Sequence, residues 1–287
     1  MTSTLRAALW MMGAIFSFTT MALAGRSLSA TFDTFEIMMY RSAFGVIVVC
    51  TLAYATGTYR QIGVGAIRGH FTRNIFHFAG QNLWFYAVTV VPLAQVFALE
   101  FTSPLWVIVL SPLLLGERLT LVRATAAMIG FVGILIVARP DMAGLNAGIL
   151  AAASCAIFFA LTYIFTKRLT RTETITAIMF YLTLMQLIFG LITAGYDGDI
   201  ALPSLSNAPL LALVGVCGLL AHFCITKALQ IAPATVVAPI DFARLPIVAI
   251  IAMLVYNEAL DVWVFVGAAV IFAGNYFNIW TETRKTA

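Results

Sequence analysis

PLAQVFALEFTSPLWVIVLSPLLLGERL (residues 92–119) and PATVVAPIDFARLPIVAIIAMLVYNEAL (residues 233–260) are two copies of one pattern, 141 positions apart. Each opens on a proline, places an acid before a phenylalanine (Glu100–Phe101, Asp241–Phe242), meets a further proline a turn or so later (Pro104, Pro246) and closes on Glu-x-Leu. The residues between are almost all apolar, and about 20 such residues in a helix cross a bilayer. The same offset pairs Arg26 with Lys167, Met38 with Met179, Tyr40 with Tyr181, Ala87 with Ala228 and Gly133 with Gly274. Chance matches of Leu or Ala are expected in so apolar a chain, but matched prolines and acids are not. The chain therefore reads as two halves, 1–141 and 142–287.

Apolar runs recur along the whole of it. Of 287 residues, 62% are hydrophobic and 10% charged, with a mean hydropathy of +1.00. A soluble domain is roughly a quarter charged, so this chain cannot cover a water-facing surface. Helices are expected at about 6–27, 34–56, 71–90, 93–115, 121–138, 147–166, 173–195, 207–228, 234–256 and 262–281. The runs are continuous where a membrane barrel would alternate, which excludes the barrel. The first run lacks a small-residue cleavage site and is expected to be retained as a helix.

The net charge of +4 sorts by loop and asks for no nucleic acid. With the N-terminus inside, Arg6, Arg60, Arg68, Arg118, Arg123, Lys167, Arg168, Arg171 and Lys227 fall on one side, while Arg26, Arg139, Asp197 and Asp199 fall on the other. That is the positive-inside pattern of a multi-pass plasma (bacterial inner) membrane protein with both termini cytoplasmic. Arg73, at the edge of the third run, reads as one more cytoplasmic anchor. Five helices per half is an odd number, so the second half enters from the opposite face. Inverted repeats let two copies rock about a central site, the design of secondary transporters.

On these paired segments, with their Gly116-Glu117-Arg118-Leu119 and Asn257-Glu258-Ala259-Leu260 turns, the chain resembles the drug/metabolite transporter superfamily, in its ten-helix branch of two EamA repeats. The resemblance implies an all-α membrane fold with the fifth and tenth helices at the back of a central cavity. Within the family it looks most like the exporters of aromatic amino acids, methionine and other neutral amino acids.

Ionisable side chains inside spans are costly and default to functional hypotheses. Here they are Arg41, His77, Glu100, His222, Asp241 and Arg244. Glu100 and Asp241 hold matching repeat positions beside Pro104 and Pro246, and matched interrupted spans point to a binding site. Arg73, His77, Gln81, Trp84 and Val88 share one face of the third helix, and His77, Gln81 and Trp84 on it read as functional; His222 is the repeat counterpart of Gln81. Tyr40, Arg41 and Tyr163 would add aromatic and cationic lining. The plainer reading is that Asp241 and Arg244, three apart, pair on their own helix, that Arg41 and Glu100 form a buried bridge, and that His222 is a packing residue.

Cys50, Cys155, Cys217 and Cys224 lie in apolar runs and read as packing residues. With His222 they lack the spacing and number of a metal site. No nucleotide loop, His-Glu-x-x-His pair or Gly-x-Ser-x-Gly turn occurs, so neither a pump nor an enzyme is indicated, and no cofactor is called for. Arg41 and Arg244 would balance Glu100 and Asp241, a neutral interior suited to a zwitterion. A hydrophobic amine or drug-like cation is the alternative cargo. Each acid has a basic residue at hand, so transport without proton coupling is expected. Apart from cargo and lipid no partner is implied, which leaves a monomer or weak homo-oligomer.

Overall fold

The computed structural model describes residues 3–116, 120–138, 146–196, 198–257 and 262–285. Both Glu-x-Leu turns, Arg139 and Asp197 lie outside the described residues, as does the border between the two halves. Among the described residues there are helices and no strands. In chain order the helices are α1 (Ser3–Leu28), α2 (Thr34–Ala55), α3 (Ile67–Val90), α4 (Leu93–Glu100), α5 (Ser103–Leu115) and α6 (Leu121–Ala138). They continue as α7 (Ala147–Leu169), α8 (Ile175–Ala194), α9 (Ala208–Ile231), α10 (Ala234–Ile240), α11 (Arg244–Tyr256) and α12 (Val262–Lys285).

Five of these, α1, α2, α7, α8 and α9, are long and apolar enough to cross a membrane. The chain is thus a multi-pass membrane protein. Helix α3 has the length, but His70, Arg73, Asn74, His77 and Gln81 lower its hydropathy, and all five are buried. The fourth and ninth runs, expected as spans interrupted at a proline, are each divided in two. Elsewhere the expected ends differ from those found by at most four residues (71 expected and 67 found for α3).

The divisions follow from the prolines. Pro104 sits in the first turn of α5 and has no N–H to offer the carbonyl of Glu100, four residues back. The hydroxyl of Ser103 donates to that carbonyl instead, at 2.6 Å, and Thr102 Oγ1 donates to the carbonyl of Leu99 at 2.8 Å. Hydroxyls that re-satisfy freed backbone are what make a break tolerable inside a membrane. In the second copy Asp241–Ala243 form a 3-10 turn, and Pro246 falls in the first turn of α11; its side chain lies outside the description.

Both divided helices end alike. Gly116 (φ 67°) and Asn257 (φ 54°) occupy matching positions and both adopt the left-handed conformation. Asn is the residue besides glycine that reaches it at low cost, so the change from Gly to Asn preserves the turn.

Packing joins elements across the repeat. α1 lies along α9 and α3 along α7, the same pair of positions exchanged, while α2 packs on α8 and α6 on α12. A Cβ on Gly274 would come 3.0 Å from the carbonyl oxygen of Ala126, which puts small residues at the α6–α12 contact. Gly130 of α6 admits the ring of Phe242, which would stand 2.6 Å from an added Cβ. Phe242 in turn meets Phe101 edge-on at 5.9 Å, so the two divided helices touch at their breaks.

Candidate functional site

A cavity opens where the two divided helices meet. His77, Gln81, Trp84, Glu100, Pro104, Tyr163, His222, Asp241 and Arg244 stand in its wall, with Arg73, Phe18, Met21, Phe101, Phe159, Thr162 and Thr166. The stripe on α3 thus lies together on one wall. Arg73, at the start of the stripe, belongs to that wall as well.

At one end an ion triad ties the two breaks together. Arg244 Nη2 donates to Glu100 Oε1 at 2.6 Å and to Asp241 Oδ2 at 2.8 Å. The indole N–H of Trp84 donates to the other oxygen of Glu100 at 2.6 Å. The guanidinium lies 5.0–5.1 Å from the ring centres of Phe18, Phe97 and Phe101, a cation–π cage that holds its plane. The sequence expectation of an Asp241–Arg244 pair is met. The expected Arg41–Glu100 bridge is not, because Arg244, a residue of the opposite half, occupies Glu100 from closer range.

Three wall atoms at this end have no hydrogen-bond partner among the described residues: Asp241 Oδ1, Arg244 Nε and the hydroxyl of Tyr163. One is an acceptor, one a donor, and the third serves as either. Buried polar atoms left unmet cost about 1–3 kcal/mol each.

The other end is basic. Arg73 is 1% exposed, so it is no surface anchor; burial against α7 turns it inward, and the earlier reading is corrected. Its Nε donates to Thr166 Oγ1 at 3.1 Å and its Nη1 to Asn74 Oδ1 at 2.9 Å, both neutral groups. His77 and His222 meet edge to face with ring centres 4.5 Å apart. Both nitrogens of His77 and Nε2 of His222 lack partners among the described residues. Phe18 bridges the two ends, its ring 5.6 Å from that of His222 and 5.1 Å from the Arg244 guanidinium.

Two expected lining residues are elsewhere. Tyr40 donates to the carbonyl of Ala201 at 2.8 Å, while Glu36, which closes a capping box with Asp33, takes the Ala201 N–H at 2.5 Å. Tyr40 therefore clasps a loop. Arg41 turns toward α9, where the missing side chain of Gly218 makes room: a Cβ there would stand 2.6 Å from Arg41 Nε. Among the described residues it donates only to Met38 Sδ, at 3.4 Å, and it lines a separate small pocket with Gln186 and Thr183. Sequence reasoning missed Phe18, Met21, Phe159, Thr162 and Thr166. For Thr166 the signal was its place one turn from Tyr163; for Phe18, one of 22 phenylalanines, there was none.

Divided helices that meet at a polar cavity inside an apolar bundle are the means by which secondary transporters hold cargo. The chain matches the EamA-like transporter family over residues 5–139 and again over 146–280, and it belongs to that family. It is 26% identical over 275 residues to an S-adenosylmethionine uptake transporter of Rickettsia bellii, covering 96% of this chain and 94% of the relative. A riboflavin transporter of Vibrio cholerae is 28% identical, with 98% and 95% covered, and one of Brucella anthropi is 30% identical, with 88% and 90% covered. A solved crystal structure superposes with a TM-score of 0.78 at 18% identity, over 98% of this chain and 99% of that one, a likeness of fold. The protein is a transporter of small metabolites and not an enzyme.

Proposed function

We propose that this chain carries α-amino acids, and metabolites built on an α-amino acid head group, across the bacterial inner membrane by alternating access. The observation that carries the reading is the trio of unpartnered atoms at the ninth-span break. A substrate ammonium fits Asp241 Oδ1, and a carboxylate beside it fits Arg244 Nε and the Tyr163 hydroxyl. The wall is formally neutral, since Arg73 and Arg244 balance Glu100 and Asp241 with the histidines uncharged. Arg73 fills the part first given to Arg41. A lipophilic amine would satisfy Asp241 Oδ1 but would leave Arg244 Nε and the Tyr163 hydroxyl unmet, which a zwitterion does not.

The rings of Phe18, Trp84, Phe101 and Phe159 favour bulky side chains, which makes aromatic amino acids and methionine the expected cargo. The Rickettsia relative supports this, being named for a compound that is an amino acid at one end. Export was the expectation from family resemblance, but a carrier without proton coupling runs down whichever gradient its cargo has. Paired acids support such a facilitative carrier. α4 with α5 and α10 with α11 each make one span in this reading, giving ten spans in two inverted halves, 1–141 and 142–287, with both termini cytoplasmic. The sorting of basic residues between loops supports that arrangement, and cysteine labelling of residue 285 from outside would contradict it.

The test is counterflow of labelled phenylalanine in proteoliposomes. Methionine and tryptophan should compete; phenethylamine, which lacks the carboxylate, and 3-phenylpropionate, which lacks the amine, should not. Competition by phenethylamine equal to that of phenylalanine replaces this reading with amine efflux.

A further inference from the structure

We infer that the Arg73, His77 and His222 end of the cavity is a second substrate subsite, one that takes an anionic or hydrogen-bond-accepting group at the far end of the substrate's side chain. The inference rests on the head-group reading above for its orientation, and on separate atoms for its chemistry. Arg73, His77 and His222 are 1%, 1% and 5% exposed, and no carboxylate among the described residues pairs with any of them. Three ring nitrogens have no partner among the described residues, although buried polar groups nearly always have one. A neutral imidazole has one N–H to give, and Arg73 adds a charge that its two neutral partners leave uncompensated. Such a cluster is met by an oxyanion, an amide oxygen or a heteroaromatic nitrogen.

Distance makes it a second subsite instead of another part of the first. His77 and Trp84 are seven residues apart on α3, about 10 Å at 1.5 Å per residue, and Trp84 is the residue bonded to Glu100 in the triad. The amine and carboxylate carbon of an α-amino acid lie about 2.5 Å apart, so one head group cannot serve both ends. Phe18 and Phe159, which line the span between, present rings to the middle of a long cargo.

Three para-substituted phenylalanines of matched length decide it: 4-carboxy-, 4-carbamoyl- and 4-methylphenylalanine, titrated calorimetrically into the full-length protein in detergent. The acid should bind at least tenfold more tightly than the methyl compound, with the amide between them. Arg73→Gln should abolish the advantage of the acid over the amide, Arg73→Lys should keep most of it, and His222→Leu should narrow the gap between amide and methyl compound. Equal binding of all three to the unaltered protein overturns the subsite without recourse to any variant, as does an acid preference that survives Arg73→Gln. If none of the three binds, 4-ethylbenzoate and 4-ethylbenzamide are compared next. A preference for the benzoate that Arg73→Gln removes keeps the subsite and discards the head-group reading; no preference discards the subsite.

Discussion

At the ninth-span break Arg244 lies between two carboxylates and against three aromatic rings, whereas Arg73, on α3, meets one hydroxyl and one amide oxygen. Both are fully buried arginines on one cavity wall. The first is a strut that crosslinks the two divided helices; the second keeps its charge available. A buried cation whose partners are the protein's own carboxylates crosslinks the fold; one whose partners are neutral keeps its charge uncompensated.

Arg244→Gln is the most damaging way to break the comparison, for it leaves Glu100 and Asp241 facing each other without a cation. Loss of one partner from a buried network costs about 3–5 kcal/mol. The melting temperature in detergent should fall sharply, and Glu100→Gln added to Arg244→Gln should restore part of it. Single and double variants that melt together would mean that the triad is no strut.

Trp84→Phe comes next. It keeps a ring in the wall but removes the donor to Glu100, a bond to a charged group worth about 1.5–3 kcal/mol. Thermal stability should fall while the preference for aromatic over small amino acids survives in counterflow. In Trp84→Ala that preference should also shrink, by up to about tenfold, the equivalent of one aromatic contact. Equal losses for small and aromatic cargo in Trp84→Ala would take the indole out of substrate recognition.

Arg73→Gln should cost less than Arg244→Gln, because it removes two hydrogen bonds to neutral partners and leaves no acid stranded. A fall as deep as that of Arg244→Gln would show that both ends are structural. Smallest is Arg41→Gln, which removes a guanidinium whose hydrogen-bond partner among the described residues is a sulfur. The loss of stability should be the least of the series, since one weak contact to sulfur is removed and no acid is stranded, and the KM for phenylalanine should not move. A raised KM would bring Arg41 back to the cargo path.

Much of the fold was legible in advance because the membrane imposes it. Long apolar runs become helices, since no other structure satisfies the backbone in hydrocarbon within a single segment. The divided spans were legible as well, from Pro104 and Pro246 next to matched acids. The site was legible along α3, where Arg73, His77, Gln81 and Trp84 share one face, but Arg73 was misassigned because a basic residue near a span end normally marks the cytoplasmic boundary.

Sequence by itself determined the repeat, the positions of the breaks and the kinds of polar side chain placed beside them, since each is a property of one segment and its periodicity. Which charge meets which was decided only in three dimensions. Arg244 and Glu100 are 144 residues apart, and only the contact of the two breaks makes them partners. Tyr40 and Arg41 carry polar groups as suitable as those in the wall, yet the rotation of α2 against α8 and α9 turns one to a loop and the other to a space beside Gly218. Helical periodicity states which residues share a face, and the packing of neighbouring helices determines what that face looks upon.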